Sequence, residues 1–158
     1  MAVGGLYIRK AGSQTTVDTT TAYGVYVAEM PYLLLGEAKE LPSNNWHDEH
    51  GDDEYIPSVL MMEAQEVEFT FAYKGDLSTA SSSILSFIDF LRGADGTGAE
   101  FSWYDPYWKI GRQATRYMEL DDDAEYGEYE EGGTKKCMVK FKVTLKVNDP
   151  VTRITLTV

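Results

Sequence analysis

A short stretch near the C-terminus constrains this chain more than any other. From Val139 to Val147 every second residue is apolar: Val139, Phe141, Val143, Leu145 and Val147. Lys140, Lys142, Thr144 and Lys146 stand between them. A period of two sends these sets to opposite faces of an extended strand, one against a core and one into water. Asn148-Asp149-Pro150 ends the run, because turn-forming residues precede one that cannot donate to a ladder. Ile154, Leu156 and Val158 then resume the alternation and predict a last strand. Residues 66–73 repeat the device, with Val67, Phe69, Phe71 and Tyr73 on one face and Glu66, Glu68, Thr70 and Ala72 on the other. That strand is expected to begin earlier, near Val59. Further strands are expected at 23–29, at 99–104 through Phe101 and Trp103, and at 110–120, with a short apolar run at 32–35.

One helix interrupts the pattern, over about residues 77–92. Leu77, Ala80, Ile84, Phe87, Ile88 and Leu91 recur at spacings of three and four and form one apolar stripe. Asp76 or Ser78 can cap its start, and Gly93 can take the left-handed position after its end. Ser81, Ser82 and Ser83 are mediocre helix formers, so packing on a sheet must hold the stripe.

The 158 residues are enough for one domain with a core. Three segments read as loops: 10–22, 42–57 and 121–133. A compact domain seldom keeps long structureless loops without a use, so these point to partner contacts. The 26 acidic side chains outnumber the 14 basic ones, for a formal charge of −12. That balance excludes a duplex nucleic-acid binder, which neutralises phosphates with Lys and Arg, and disfavours an anionic membrane surface. The charge is also uneven. Residues 47–131 carry 21 acidic and 5 basic groups, while residues 132–158 carry 1 acidic and 6 basic. The two regions are complementary, within the fold or between subunits.

The residues carry little chemistry. Cys137, the single cysteine, lies in a strand-like run and reads as a packing residue; no internal disulfide exists, in keeping with a reducing cytoplasm. The start of the chain lacks the pattern of a secretory signal, and no apolar run is long enough for a membrane-spanning helix. His47, Asp48, Glu49, His50, Asp52, Asp53 and Glu54 form the densest group of potential ligands. Pro42, Asn44, Asn45 and Gly51 argue against the helix that would bring the two histidines to one metal, and no HExxH spacing occurs. A solvated acidic loop that meets a partner, or an occasional cation, fits better. The run Asp121, Asp122, Asp123 to Glu131 fails as an EF-hand, with Tyr126 where the turn glycine belongs and Gly132 where the bidentate glutamate belongs, so it reads as a solvated hairpin loop, with weak calcium binding by its clustered carboxylates as the alternative. No nucleophile elbow or phosphate loop occurs, so no catalytic residue and no cofactor are expected. Trp103, Tyr104, Tyr107 and Trp108 flank Asp105-Pro106. They are expected to cover the end of the core at a β-turn or to anchor an interface, and a carbohydrate-binding platform is the alternative.

Several of these stretches together are similar to a known family. They are Asp52-Asp53-Glu54-Tyr55-Ile56-Pro57, Val67 through Gly75, the helix from Ile84 to Gly93, Tyr104-Asp105-Pro106-Tyr107 with Ile110-Gly111-Arg112, and Val147-Asn148-Asp149-Pro150-Val151-Thr152. In this layout the chain resembles the phage tail-tube superfamily. That group includes siphophage tail-tube subunits, the N-terminal domain of distal tail proteins and the tube proteins of type VI secretion. In detail the chain looks like small tail proteins of prophage origin. The resemblance implies a mainly β fold, a β-sandwich or half-barrel with one flanking helix, spanning 1–158 as one domain. It implies a non-enzymatic structural subunit that forms a ring of six copies and meets other tail proteins. Such a protein waits in the bacterial cytoplasm and ends in the virion tail. Lys140, Lys142 and Lys146 are then expected at subunit contacts. The acidic residues Asp48, Glu49, Asp52, Asp53, Glu54, Asp121, Asp122 and Asp123 are expected on a lumen that does not hold DNA, or at weak cation contacts.

Overall fold

The computed structural model describes residues 4–30, 34–121 and 124–158. In chain order the elements are β1 (Tyr7–Lys10), β2 (Thr16–Asp18), α1 (Thr19–Tyr23), β3 (Val25–Glu29), β4 (Ser43–Asn44), β5 (Asp53–Glu54), β6 (Gln65–Gly75), α2 (Leu77–Arg92), β7 (Phe101–Asp105), β8 (Ile110–Leu120), β9 (Glu125–Glu131) and β10 (Thr134–Val147). The main sheet runs β2-β1-β7-β8-β10-β6-β3, and its pairings are antiparallel.

The alternating C-terminal stretch is the axis of that sheet. Along one edge of β10, Cys137 to Val147 pair residue by residue with Gly75 to Gln65 of β6. Its other edge is shared: β8 takes Val143–Val147 and β9 takes Thr134–Lys140. Phe141, Val143, Leu145 and Val147 are buried, as are Val67, Phe69, Phe71 and Tyr73 across the ladder. The apolar face curls around α2, which sets Phe87 5.2 Å from Phe71 and 6.2 Å from Phe141, ring centre to ring centre. The result is a mainly β half-barrel with a flanking helix, the expected fold class. The helix keeps its expected bounds. Ala80, Phe87, Ile88 and Leu91 of the stripe are buried and Ile84 packs against the core, while Leu77 is exposed. Gly93 takes the left-handed position at φ 81°. Lys10 closes that end from the sheet. Its buried ammonium donates to the carbonyl oxygens of Phe90 and Gly98 and lies over the Phe90 ring. Cations are favoured at a helix C-terminus, where carbonyls lack partners. Burial pushes the Lys10 pKa down, and the Asp95 carboxylate pulls it back up.

The structure corrects four expectations. Residues 10–22 are not a loop: they hold β2 and the short helix α1, so the described residues hold two helices. Asp18 caps α1 by accepting from the Thr20 amide at 3.0 Å, and Gly24 ends it in the left-handed region. Buried Thr19 receives the Leu6 amide at 2.9 Å and donates to the Val25 carbonyl at 2.9 Å, which ties the start of β1 to β3. Residues 121–133 contain β9, an edge strand exposed on both faces and therefore without apolar alternation. It forms because Gly132 and Gly133, both at positive φ, make a two-residue hairpin loop. β6 begins at Gln65, and Val59, Leu60 and Met61 lie exposed in the segment before it. In the run at 32–35, Leu34 and Leu35 are exposed, and Tyr32 and Leu33 lie outside the described residues.

The fourth correction concerns the end of the chain. Residues 152–158 form no strand, and of the three alternating residues only Leu156 is buried. The tail is held instead by two local devices. Asp149 accepts from the Gln113 side chain at 2.8 Å and from the Val151 and Thr152 amides at 3.3 and 3.1 Å. These bonds lower its carboxyl pKa from 3.8 to about 2. The folded value is depressed, so the stabilisation is present above the unfolded pKa and is lost as pH falls towards 2. After discounting for its partly exposed setting, Asp149→Ala is expected to cost about 1 kcal/mol at pH 7. Melts from pH 6 down to pH 2 check the sign: the gap between variant and parent should close with acid. The second device is Gly111, where an added Cβ would overlap the Ile154 carbonyl oxygen and come within 3.0 Å of the Trp103 carbonyl oxygen. Gly111→Ala is expected to displace the tail and cost about 2–3 kcal/mol. Faster amide exchange over residues 150–158 would report it, and an unchanged melt would show that the tail is not seated there.

Candidate assembly surface

Between β3 and β6 the chain leaves the sheet and returns as an arm. Residues 37–64 include no buried residue, and only Leu41, Pro57 and Met62 are half-buried. The two limbs are antiparallel. At the root the Lys39 amide donates to the Met61 carbonyl at 2.7 Å and the Glu63 amide to the Glu37 carbonyl at 2.8 Å. Farther out β4 and β5 pair Ser43 with Glu54 and Asn44 with Asp53. The expected loop at 42–57 is therefore the distal part of a hairpin-like arm. Its stability cannot come from a core of its own, because a two-stranded ribbon is marginal in water.

The arm combines apolar and acidic side chains. Trp46, Tyr55, Ile56, Val59, Leu60 and Met61 are exposed, Tyr55 by 74%. Asp48, Glu49, Asp52, Asp53 and Glu54 are exposed at its distal end with His47 and His50. Among the described residues no three His, Cys, Asp or Glu side chains come together to hold a metal ion. Large apolar side chains presented in one exposed segment and rimmed by charge are the usual signature of a surface that meets a partner.

The aromatic cluster divides. Trp103 is 2% exposed, with its ring edge-on to Phe69 at 5.0 Å, and Tyr104 is buried beside Tyr7. Both are core residues in this chain. Tyr107 and Trp108 are exposed because Asp105 folds the β7–β8 turn beneath them. Its buried carboxylate accepts from the Tyr107 and Trp108 amides at 2.9 and 3.3 Å. Burial raises the Asp105 pKa, and the two amides oppose that rise. The Tyr107 and Trp108 rings stand at 88° to each other and line a shallow groove with Val27, Ala28 and Met30. A flat platform of four rings, which a sugar-stacking site would use, does not form.

The expected charge complementarity acts within the fold. On β10, Lys135 lies opposite Glu130 and Lys140 opposite Glu125 of β9. Lys146 lies opposite Glu66 of β6, and the Lys142 ammonium is 3.9 Å from the Glu68 carboxylate. Opposite charges across a ladder each add a few tenths of a kcal/mol, up to about 1. These lysines therefore have a role inside the chain. Asp121 follows β8 directly, its amide donating to the Lys142 carbonyl at 2.9 Å, and Asp122 and Asp123 lie outside the described residues. Among the described residues no helix is long and apolar enough to cross a membrane.

Neither the burial of Arg112 nor the place of residues 58–64 in the arm is legible in the chain's pattern. Exposed apolar residues before a strand look like the strand's own beginning, and only tertiary contacts separate the two.

No family model matches the chain, and no curated protein matches it. Among solved structures, it is similar to the crystal structure of the Dit protein of phage SPP1, titled a paradigm of the hub adsorption apparatus in phages that infect Gram-positive bacteria. The TM-score is 0.51 and the identity 17%, over 92% of this chain and 50% of that one. At this identity the likeness is one of fold, and the chain spans about half the length of that neighbour.

Proposed function

We propose that this chain is a non-enzymatic structural subunit of a phage or phage-like tail, at the tube or the distal hub. One observation carries the reading: 92% of the chain follows the fold of a phage hub protein. The exposed arm supports it, since an apolar arm outside the core is a liability unless assembly covers it. In this reading the chain acts as a single domain and six copies form a ring. Other tail proteins cover the remaining surface, and Tyr107 and Trp108 anchor a subunit contact. The acidic ends of the arm and the residues around Asp121 line or approach the lumen, where like charge keeps DNA from sticking. Lys140, Lys142 and Lys146 reach a neighbour only on the solvent face they already share with β6 and β9. The subunit resides in the cytoplasm before assembly and in the tail afterwards, and its gene is of prophage origin.

Light scattering after size exclusion, with negative-stain electron microscopy, tests this reading on the purified chain alone and with its co-expressed gene neighbours. Closed rings of about six copies are expected in at least one condition, the product of a head-to-tail contact whose rotation closes. A strict monomer at high concentration in every condition would sink the proposal.

A further inference from the structure

Two buried polar side chains sit where the arm joins the sheet. Arg112 of β8 is 2% exposed. Its Nη2 donates to the Leu34 carbonyl oxygen at 2.6 Å, across 78 positions of sequence. Its Nη1 donates to the adjacent Gly111 carbonyl at 3.0 Å, and its Nε is buried without a hydrogen-bond partner in the protein. The charges that face it are Asp149, already engaged by Gln113 and two amides, and Arg153, which repels it. Gln65, where the arm returns, is also buried and lies against Gly36. A Cβ at Gly36 would come 3.0 Å from the Gln65 Nε2 and 3.1 Å from its Cγ. The outgoing limb is thus bonded at Leu34 and closely packed at Gly36, just before the first pairing of the two limbs.

A buried guanidinium without a carboxylate is a poor device for stability, and an apolar residue of similar volume is often neutral or better in its place. The long-range bond it makes here goes to one main-chain oxygen at the arm's root. We propose that Arg112 is a positioning residue for the arm: by fixing Leu34 it sets the direction in which residues 37–64 leave the sheet. The inference does not depend on the tail reading, because the arm projects from the sheet whatever partner it meets.

Hydrogen exchange followed by mass spectrometry on the full chain tests it, with Arg112→Met and Gly36→Val beside the parent. Arg112→Met keeps the bulk of the side chain and removes the donor. It should melt close to the parent or above it. Its amides over residues 34–40 and 60–64 should exchange roughly tenfold faster or more, the effect of losing a bond from a charged donor. Those of β6, β8 and β10 should keep their parental rates. Gly36 is outside the left-handed region, so Gly36→Val strains no backbone and pushes the outgoing limb off Gln65 from the arm side. It should speed the same root amides with β8 untouched, and this variant remains informative where Arg112→Met folds poorly. Unchanged root exchange in either variant overturns the proposal. So does a loss of protection in β8 and β10 equal to that at the root, which would mark Arg112 as a core residue only.

Discussion

Replacing residues 42–57 with a Gly-Gly link is expected to leave the melting temperature within about 3 °C of the parent, the shift that ~1 kcal/mol produces at this size, and to abolish ring assembly. The first half follows from burial. Within that span only Pro57 is even half-buried, so its removal takes nothing from the core. The root pairing of Lys39 with Met61 lies outside the excision and keeps the two limbs in register. Shortening a loop also lowers its closure entropy, so the change leans slightly towards stability. The second half follows from the proposed role. Trp46, Tyr55 and Ile56 leave with the excised span, and aromatic anchors of this kind carry most of the energy of an interface. Calorimetry reads the first outcome and microscopy the second. Rings that still form would remove the arm from the interface, and a collapsed melt would mean that the arm stabilises the sheet.

Phe87→Ala is expected to cost about 4 kcal/mol, in the range for a buried phenylalanine that leaves a cavity. At this chain length that lowers the melting temperature by roughly 10 °C. Phe87 is fully buried on α2, and its ring meets Phe71, Phe141 and Tyr23 at 5.2, 6.2 and 5.7 Å. It therefore joins the two central strands and both helices at one point. The Phe71 and Phe141 rings belong to paired strands and cannot collapse into the space. Phe87→Leu, which keeps much of the volume, should cost far less. Urea unfolding at pH 7 measures both, and a loss below about 2 kcal/mol for Phe87→Ala would mean that the site relaxes.

The sequence was most legible where one face of an element is apolar. The buried faces of β6, β10 and α2 could be read from the pattern, because alternation and the three-four stripe are set by the geometry of a half-buried strand or helix. It was least legible where an element has no apolar face. α1 is a run of threonines held by an aspartate cap and a glycine, and β9 is a strand of glutamates and tyrosines with both faces in water. The Gly132-Gly133 pair was a sufficient hairpin signal for β9, but the acidic run around it reads as a solvated loop. The final alternation of Ile154, Leu156 and Val158 misled for the opposite reason. Three apolar residues at the right spacing make a strand only where a ladder edge is free, and here Asp149 and Gly111 direct the tail elsewhere.

The candidate surface divides in the same way. The aromatic turn was found in the sequence, because Asp105-Pro106 between aromatic pairs is a local signal. Which rings would face water was not. Trp103 and Tyr104 belong to β7 and turn inward with it, while Tyr107 and Trp108 lie in the turn. The sequence by itself determined that this chain carries alternating strands and one long amphipathic helix, and that its charge is segregated. These are properties of local period and composition, which act over a few residues. Only the tertiary structure decided that the acidic and basic segments meet inside one chain, that residues 37–64 leave the core as an arm, and that a buried arginine holds its root. Each of these depends on contacts between residues far apart in sequence, and periodicity carries no information about such pairs.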